Sequence, residues 1–153
     1  MSENVFTPSV HYQNPKAALD WLERAFGFEL TMLIESPGDD SMLHAEMSAG
    51  GRGRVMIGGE WEARTRSPRS ANGANTQAIH VDVERDIDEH CEKARAAGAV
   101  VVQEPENQFY GARTYRALDL EGHMWTFSQS VRAVSREEAE KAIGAKIFAP
   151  EWK

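Results

Sequence analysis

Residues 109–127 read FYGARTYRALDLEGHMWTF, and they spell a β-hairpin. Side chains alternate from Ala112 to Leu118, which makes one strand, and a second begins over His123 to Phe127. The second strand is aromatic and β-branched, as a pleated surface favours. Asp119-Leu120-Glu121-Gly122 is the turn between them. Asp bonds its own backbone two residues on, and Gly takes positive φ without a Cβ clash.

Upstream of this hairpin the chain carries the same pattern twice. Val5 to Tyr12 alternates, with Phe6, Pro8, Val10 and Tyr12 on one face and Thr7, Ser9 and His11 on the other. Asn14-Pro15 then reads as an N-cap with Pro at the first helical position. Ala18, Leu19, Leu22, Ala25 and Phe26 recur at helical spacing until Gly27. Strands follow over Phe28 to Glu35, Met42 to Ser48 and Arg54 to Gly58, with turns at 36–40 and 49–51. In the second copy, Ala78 to Glu84 alternates. Asp86 caps a helix with inner face Ile87, Cys91, Ala94 and Ala97, and Gly98 ends it. Ala99 to Gln103 is a strand, a loop runs through Pro105 and Asn107, and the hairpin completes the copy. Each half is thus β-α-β-β-β, an internal repeat. The expected division is module one over 5–59, a linker over 60–76 and module two over 77–130. A tail over 131–153 has a short helix opened by Ser135 as a capping box. The linker lacks periodicity and reads as a surface loop or a flap carrying Trp61.

Bulk properties narrow the function. The chain has 153 residues and a net charge of −7, so nucleic-acid binding through a broad basic surface is not expected. No apolar run approaches the roughly 18 residues of a membrane span. The opening residues lack the pattern of a signal peptide. A single cysteine, Cys91, allows no intrachain disulfide and suits a reducing cytoplasm. There is no Ser/His/Asp triad, phosphate-cradling Gly loop or CxxC.

The tandem repeat ends in Tyr110-Gly111-Ala112-Arg113 and Asp119-Leu120-Glu121-Gly122-His123-Met124-Trp125-Thr126-Phe127. Over roughly residues 5 to 130 this resembles the vicinal oxygen chelate superfamily of glyoxalases, bleomycin-resistance proteins and extradiol dioxygenases. It is closest to the glyoxalase-like and bleomycin-resistance-like branch, with Leu120 where the branch has Pro. The resemblance implies an α+β fold, in which the tandem modules curl into an open, U-shaped mixed β-barrel with helices outside. It also implies a homodimer, with some members building pockets from both subunits.

Metal-using members hold a divalent ion with His, Gln or Glu from the first and last strands of each module. Carried over, those positions fall near Thr7, near Met56, at or next to His80, and at Thr126. Thr and Met are poor ligands for a hard divalent ion, so no metal cofactor is favoured and His80 is the one candidate ligand. Alternation puts Ser9, His11, His44, Glu46, Met56, His80, Asp82 and Thr126 on the pocket face. An alternative metal site from His11, Glu46 and His80 would have to bridge on the order of 10 Å of sheet.

Tyr110, Arg113 and Tyr115 are placed at the mouth of the hairpin, where Arg offers a fork for an anion and Tyr a stacking face. The alternative for Arg113 is an ion pair that holds the loop. His123 and Trp125 read as packing residues. The ligand-binding candidates are therefore His11, His44, Glu46, Met56, His80, Tyr110, Arg113, Tyr115 and Thr126. The expected function is metal-free binding of a small molecule, with sequestration of a toxic or antibiotic compound. Glu46 and Asp82 make a cationic ligand compatible. The rival is a metal-dependent lyase or isomerase of the glyoxalase type using His80.

Overall fold

The computed structural model describes residues 5–38 and 42–153. Residues 39–40 of the expected turn and the side chain of Leu43 lie outside the described residues. The elements are β1 (Ser9–Tyr12), α1 (Pro15–Phe26), β2 (Phe28–Glu35), β3 (Met42–Ala49), β4 (Arg52–Gly59), β5 (Ile79–Asp82), α2 (Ile87–Ala96), β6 (Val100–Asn107), β7 (Ala112–Leu118), β8 (Met124–Ser130) and α3 (Arg136–Ile143). Each half is one β-α-β-β-β module. Its four strands pair as β1-β4-β3-β2 or β5-β8-β7-β6, with one parallel pair (β1·β4 or β5·β8) and the rest antiparallel.

The caps are as the residues dictate. Asn14 accepts from the Ala17 amide and opens α1. Asp86 accepts from Glu89 and opens α2. Ser135 accepts from Glu138 and opens α3. Two strands depart most from expectation. The first begins only at Ser9, leaving Val5 and Phe6 87% and 88% exposed; Pro8 has no N–H to extend the ladder. Conversely β6 runs through Pro105 to Asn107, because it is an edge strand and a proline there forfeits no interior bond.

The two modules share one core. Alternate residues of the first sheet (Val10, Tyr12, Ala45, Met47, Ile57) and of the second (Tyr115, Ala117, Trp125, Phe127) are buried with the inner faces of α1 and α2. Phe26, at the end of α1, reaches Phe127 of the other module at 4.7 Å between ring centroids. Phe28 meets Trp125 at 5.2 Å. The Trp21 indole donates to Ala97 O across the junction, at 2.9 Å. Among the described residues no strand ladder joins one sheet to the other.

His90, half-buried, packs against this core, 4.6 Å from Phe127 between ring centroids. Its Nε2 donates to Phe26 O at 3.0 Å, which leaves Nδ1 to accept from the Tyr115 hydroxyl at 2.5 Å. Burial holds its pKa below the ordinary imidazole value of 6.5, and His11 is lowered in the same sense. The unfolded chain therefore takes up protons that the folded chain resists. The contribution of these histidines to stability is fully present above about pH 6.5 and is lost as pH falls through that value toward the lower folded pKa. Urea midpoints should decline between about pH 7.5 and 5.5, and less steeply in His90→Gln. An equally steep decline in the variant would contradict this role for His90.

The segment expected as a linker is docked. It contains a short 3-10 turn at Pro68–Ser70, and Ser67 before it is fully buried. The Ser67 hydroxyl donates to Glu121 Oε1 at 2.6 Å, and Ser67 N donates to Glu60 at 2.8 Å. Arg69 donates to Leu120 O, and Gln13 to Ser70 Oγ. Glu121 also accepts from the Gln13 and Asn14 amides at 2.7 and 3.0 Å, so it ties the β7–β8 turn to the start of α1.

The same turn is organised by Asp119. One oxygen accepts from the amides of Glu121 and His123, both at 3.0 Å. The other accepts from the Tyr12 hydroxyl at 2.6 Å and the Trp125 indole at 3.0 Å. Burial and the Asp119 carboxylate push the Tyr12 phenol well above its usual pKa. Gly122 is the residue that fits here, because a Cβ on it would lie 3.2 Å from Pro68 at a φ of 95°. Gly111 is required still more strongly. At φ 96° its Cβ would sit 2.3 Å from Arg132 O, where the tail crosses back over the hairpin.

Candidate functional site

Alternation along the strands gives each sheet a second face, turned away from the helices. On the first sheet the register aligns Ser9 with Met56 and Met56 with Glu46. His11 and His44 share that face. Glu46 does not stand free. His44 Nε2 lies 2.9 Å from one carboxylate oxygen, and Arg54 lies 3.6 Å from the other. Arg54 also donates to Thr7 at 3.2 Å. The Glu46 charge is thus answered within the protein, which weakens the case for a cationic ligand drawn from it. His11 Nε2 is 3.5 Å from Ser9 Oγ. Partial burial and the neighbouring His123 hold its pKa low, against the pull of Glu60.

On the second sheet His80 aligns with Thr126, and Thr126 with Arg116. His80, Asp82 and Arg116 are exposed, and Thr126 is buried between its two neighbours. Thr126 faces away from the helices, since Trp125 and Phe127 on either side point into the core.

The three hairpin residues expected at one mouth are not brought together. Tyr115 is fully buried, stacked on Phe127 at 5.0 Å and bonded to His90. Burial raises its phenol far above the usual value. Arg113 is held by Asp88 at 3.0 Å and by Asn107 at 3.1 Å, which is its loop-holding alternative. Tyr110 is partly exposed and packs edge-on against Phe109 at 5.1 Å. Strand alternation carries the signal for Tyr115, since it shares a face with Ala117.

A cleft of about 400 Å³ opens where the two modules meet. Phe28, Met47, Val55 and Trp125 supply its apolar lining, Arg52, Arg54, His80 and Asp82 its polar groups, and Phe6 and Pro8 border it. Arg52 reaches Glu84 at 3.8 Å, from one module to the other. This volume and mixed lining suit a small organic ligand. Sequence reasoning missed Arg52, Arg54 and Phe28, because only the packing of two modules makes them neighbours of His80. A smaller polar cavity of about 180 Å³ lies beneath the docked segment, lined by His11, His123, Arg66 and Gln77. There His123 Nε2 donates to His11 O at 2.7 Å, a packing role.

Residues 9–127, covering both modules and the closing hairpin, match the model of the Glyoxalase/Bleomycin resistance protein/Dioxygenase superfamily. The chain belongs to that superfamily. Among solved structures that it resembles, TioX from Micromonospora sp. ML1 is 36% identical, with a TM-score of 0.64 over 86% of this chain and 100% of that one. TnmS3, an antibiotic binding protein from Streptomyces sp. CB03234, shares the fold at 18% identity and a TM-score of 0.63, over 84% of this chain and 97% of that one. An uncharacterised protein of Mycobacterium tuberculosis is 29% identical over 149 residues, 94% of this chain and 85% of that protein.

The superfamily's metal positions do not fit an ion here. Thr7 accepts from Arg54, Met56 offers a thioether, and Thr126 offers a neutral hydroxyl, so His80 stands without a second good ligand. His11, Glu46 and His80 do not converge. Among the described residues, the one His/Cys/Asp/Glu trio with ligand atoms within 4.8 Å is Cys91, Glu92 and Glu104. Arg95 already bonds both of those glutamates, at 3.4 and 2.5 Å.

Proposed function

We propose that this chain is a metal-free, small-molecule-binding member of the superfamily that sequesters a toxic or antibiotic compound in the cytoplasm. The observation that carries this reading is the cleft at the module junction, with Phe28 and Trp125 among its apolar lining and His80 and Asp82 among its polar groups. The antibiotic-binding description of TnmS3 supports the same reading by analogy of fold. A glyoxalase-type lyase or isomerase using His80 finds no second good ligand for its ion at the superfamily's positions.

The protein works as a homodimer in this proposal. Strand β2 is an edge of the first sheet with Leu30, Met32, Leu33 and Ile34 all exposed, and β6, an edge of the second sheet, exposes Val100 and Val102. Long apolar edges of this kind are normally covered.

Thermal-shift screening of hydrophobic antibiotics and other small organic compounds tests the binding role, with sedimentation equilibrium for the dimer. Compounds that raise Tm should lose that effect in Ala49→Trp, which places an indole in the cleft that Ala49 borders. Stabilisation that persists in Ala49→Trp would contradict the cleft as the site.

A further inference from the structure

We propose that Thr126 and Arg116, in one row with His80, form a subsite for the anionic oxygen of an organic ligand, a carboxylate or a phenolate. This rests on the small-molecule reading above and names the chemistry of the ligand. The three side chains form one row across β5, β8 and β7, set by the pairs His80–Thr126 and Thr126–Arg116. Adjacent strands lie about 5 Å apart, so the row spans about 10 Å, the length of one aromatic acid. His80 also lines the cleft, which joins the row to the volume where the body of a ligand fits.

All three side chains offer hydrogen-bond donors, and none has a hydrogen bond or ion pair among the described residues. The other strand arginines all have acceptors: Arg52 meets Glu84, Arg54 meets Glu46, and Arg113 meets Asp88. Among the strand arginines of the described residues, Arg116 alone projects a planar, two-pronged cation without a carboxylate, next to Thr126, a residue that is 3% exposed. Such a fork matches a carboxylate in two parallel bonds. Asp82 lies two residues from His80 on the same face and is also without a partner among the described residues. It repels an anion at that end, so the anionic oxygen belongs at Thr126 and Arg116, with a ligand hydroxyl toward Asp82.

The test is a titration followed by ¹⁵N NMR at about pH 8, reading the Thr126 amide and the Arg116 Nε–H. The probes are benzoate and 4-nitrophenolate, with benzamide as the neutral isostere and benzamidine as the cation. Both anions should shift these signals saturably, and the tighter of the two identifies the preferred oxygen. Benzamide and benzamidine should bind roughly tenfold more weakly, and Arg116→Gln should weaken benzoate by roughly tenfold while Arg116→Lys loses less. The proposal is overturned if no anion shifts the two signals, if benzamidine or benzamide binds as well as benzoate, or if Arg116→Gln binds benzoate unchanged. None of these results touches the cleft, whose test is the Ala49→Trp comparison.

Discussion

Asp119→Ala should lose about 4 kcal/mol of folding stability, measured by urea denaturation at neutral pH. The carboxylate accepts four hydrogen bonds and is 5% exposed. Truncation leaves the Tyr12 hydroxyl and the Trp125 indole buried without acceptors, at about 1–3 kcal/mol each, and frees two turn amides. Tyr12 comes from the first strand of module one and Trp125 from the last strand of module two. The loss should therefore appear as one cooperative shift rather than as fraying of the hairpin. Asp119→Asn keeps one acceptor oxygen and should fall between the variant and the parent. A loss below about 1 kcal/mol for Asp119→Ala would show that the turn is not the junction described here.

Phe26→Ala carries the second large effect, about 3–5 kcal/mol. The ring packs on Trp21 and Phe28 of its own module and on Trp125, Phe127 and His90 of the other. Removing it opens a cavity at the centre of the shared core. Because both modules line that cavity, urea unfolding followed by tryptophan fluorescence and by far-ultraviolet circular dichroism should stay coincident. Two separated transitions would mean that the modules fold independently.

The parts of this fold that were readable from sequence are those governed by neighbours along the chain. Asn14, Asp86 and Ser135 cap helices because each cap bond reaches three residues on. The hairpin of residues 112–127 is set by its own alternation and turn. What was not readable depends on distant partners. Residues 60–76 show no periodicity, yet Glu121 and Gln13 hold them through Ser67 and Ser70. Glu121 reads locally as a turn residue, and only the folded chain shows it capping the start of α1. Pro105 reads as a strand breaker until the sheet order makes β6 an edge.

The candidate site divides along the same line. Alternation placed His11, His44, Glu46, Met56, His80 and Thr126 on the faces turned away from the helices. It could not show that Glu46 already holds His44 and Arg54, nor that Arg116 stands beside Thr126 without a partner among the described residues. Tyr115 was expected at the mouth of the hairpin, with Tyr110 and Arg113. Its own strand period turns it inward, with Ala117, to meet His90.

The most direct test of the central claim is metal content by mass spectrometry, before and after incubation with zinc, nickel, manganese and ferrous iron and removal of excess ion. The donors at Thr7, Met56, His80 and Thr126 predict no stoichiometric ion in any preparation and a Tm unchanged by EDTA. One tightly bound ion per chain, lost in His80→Ala together with an EDTA-sensitive Tm, would contradict it.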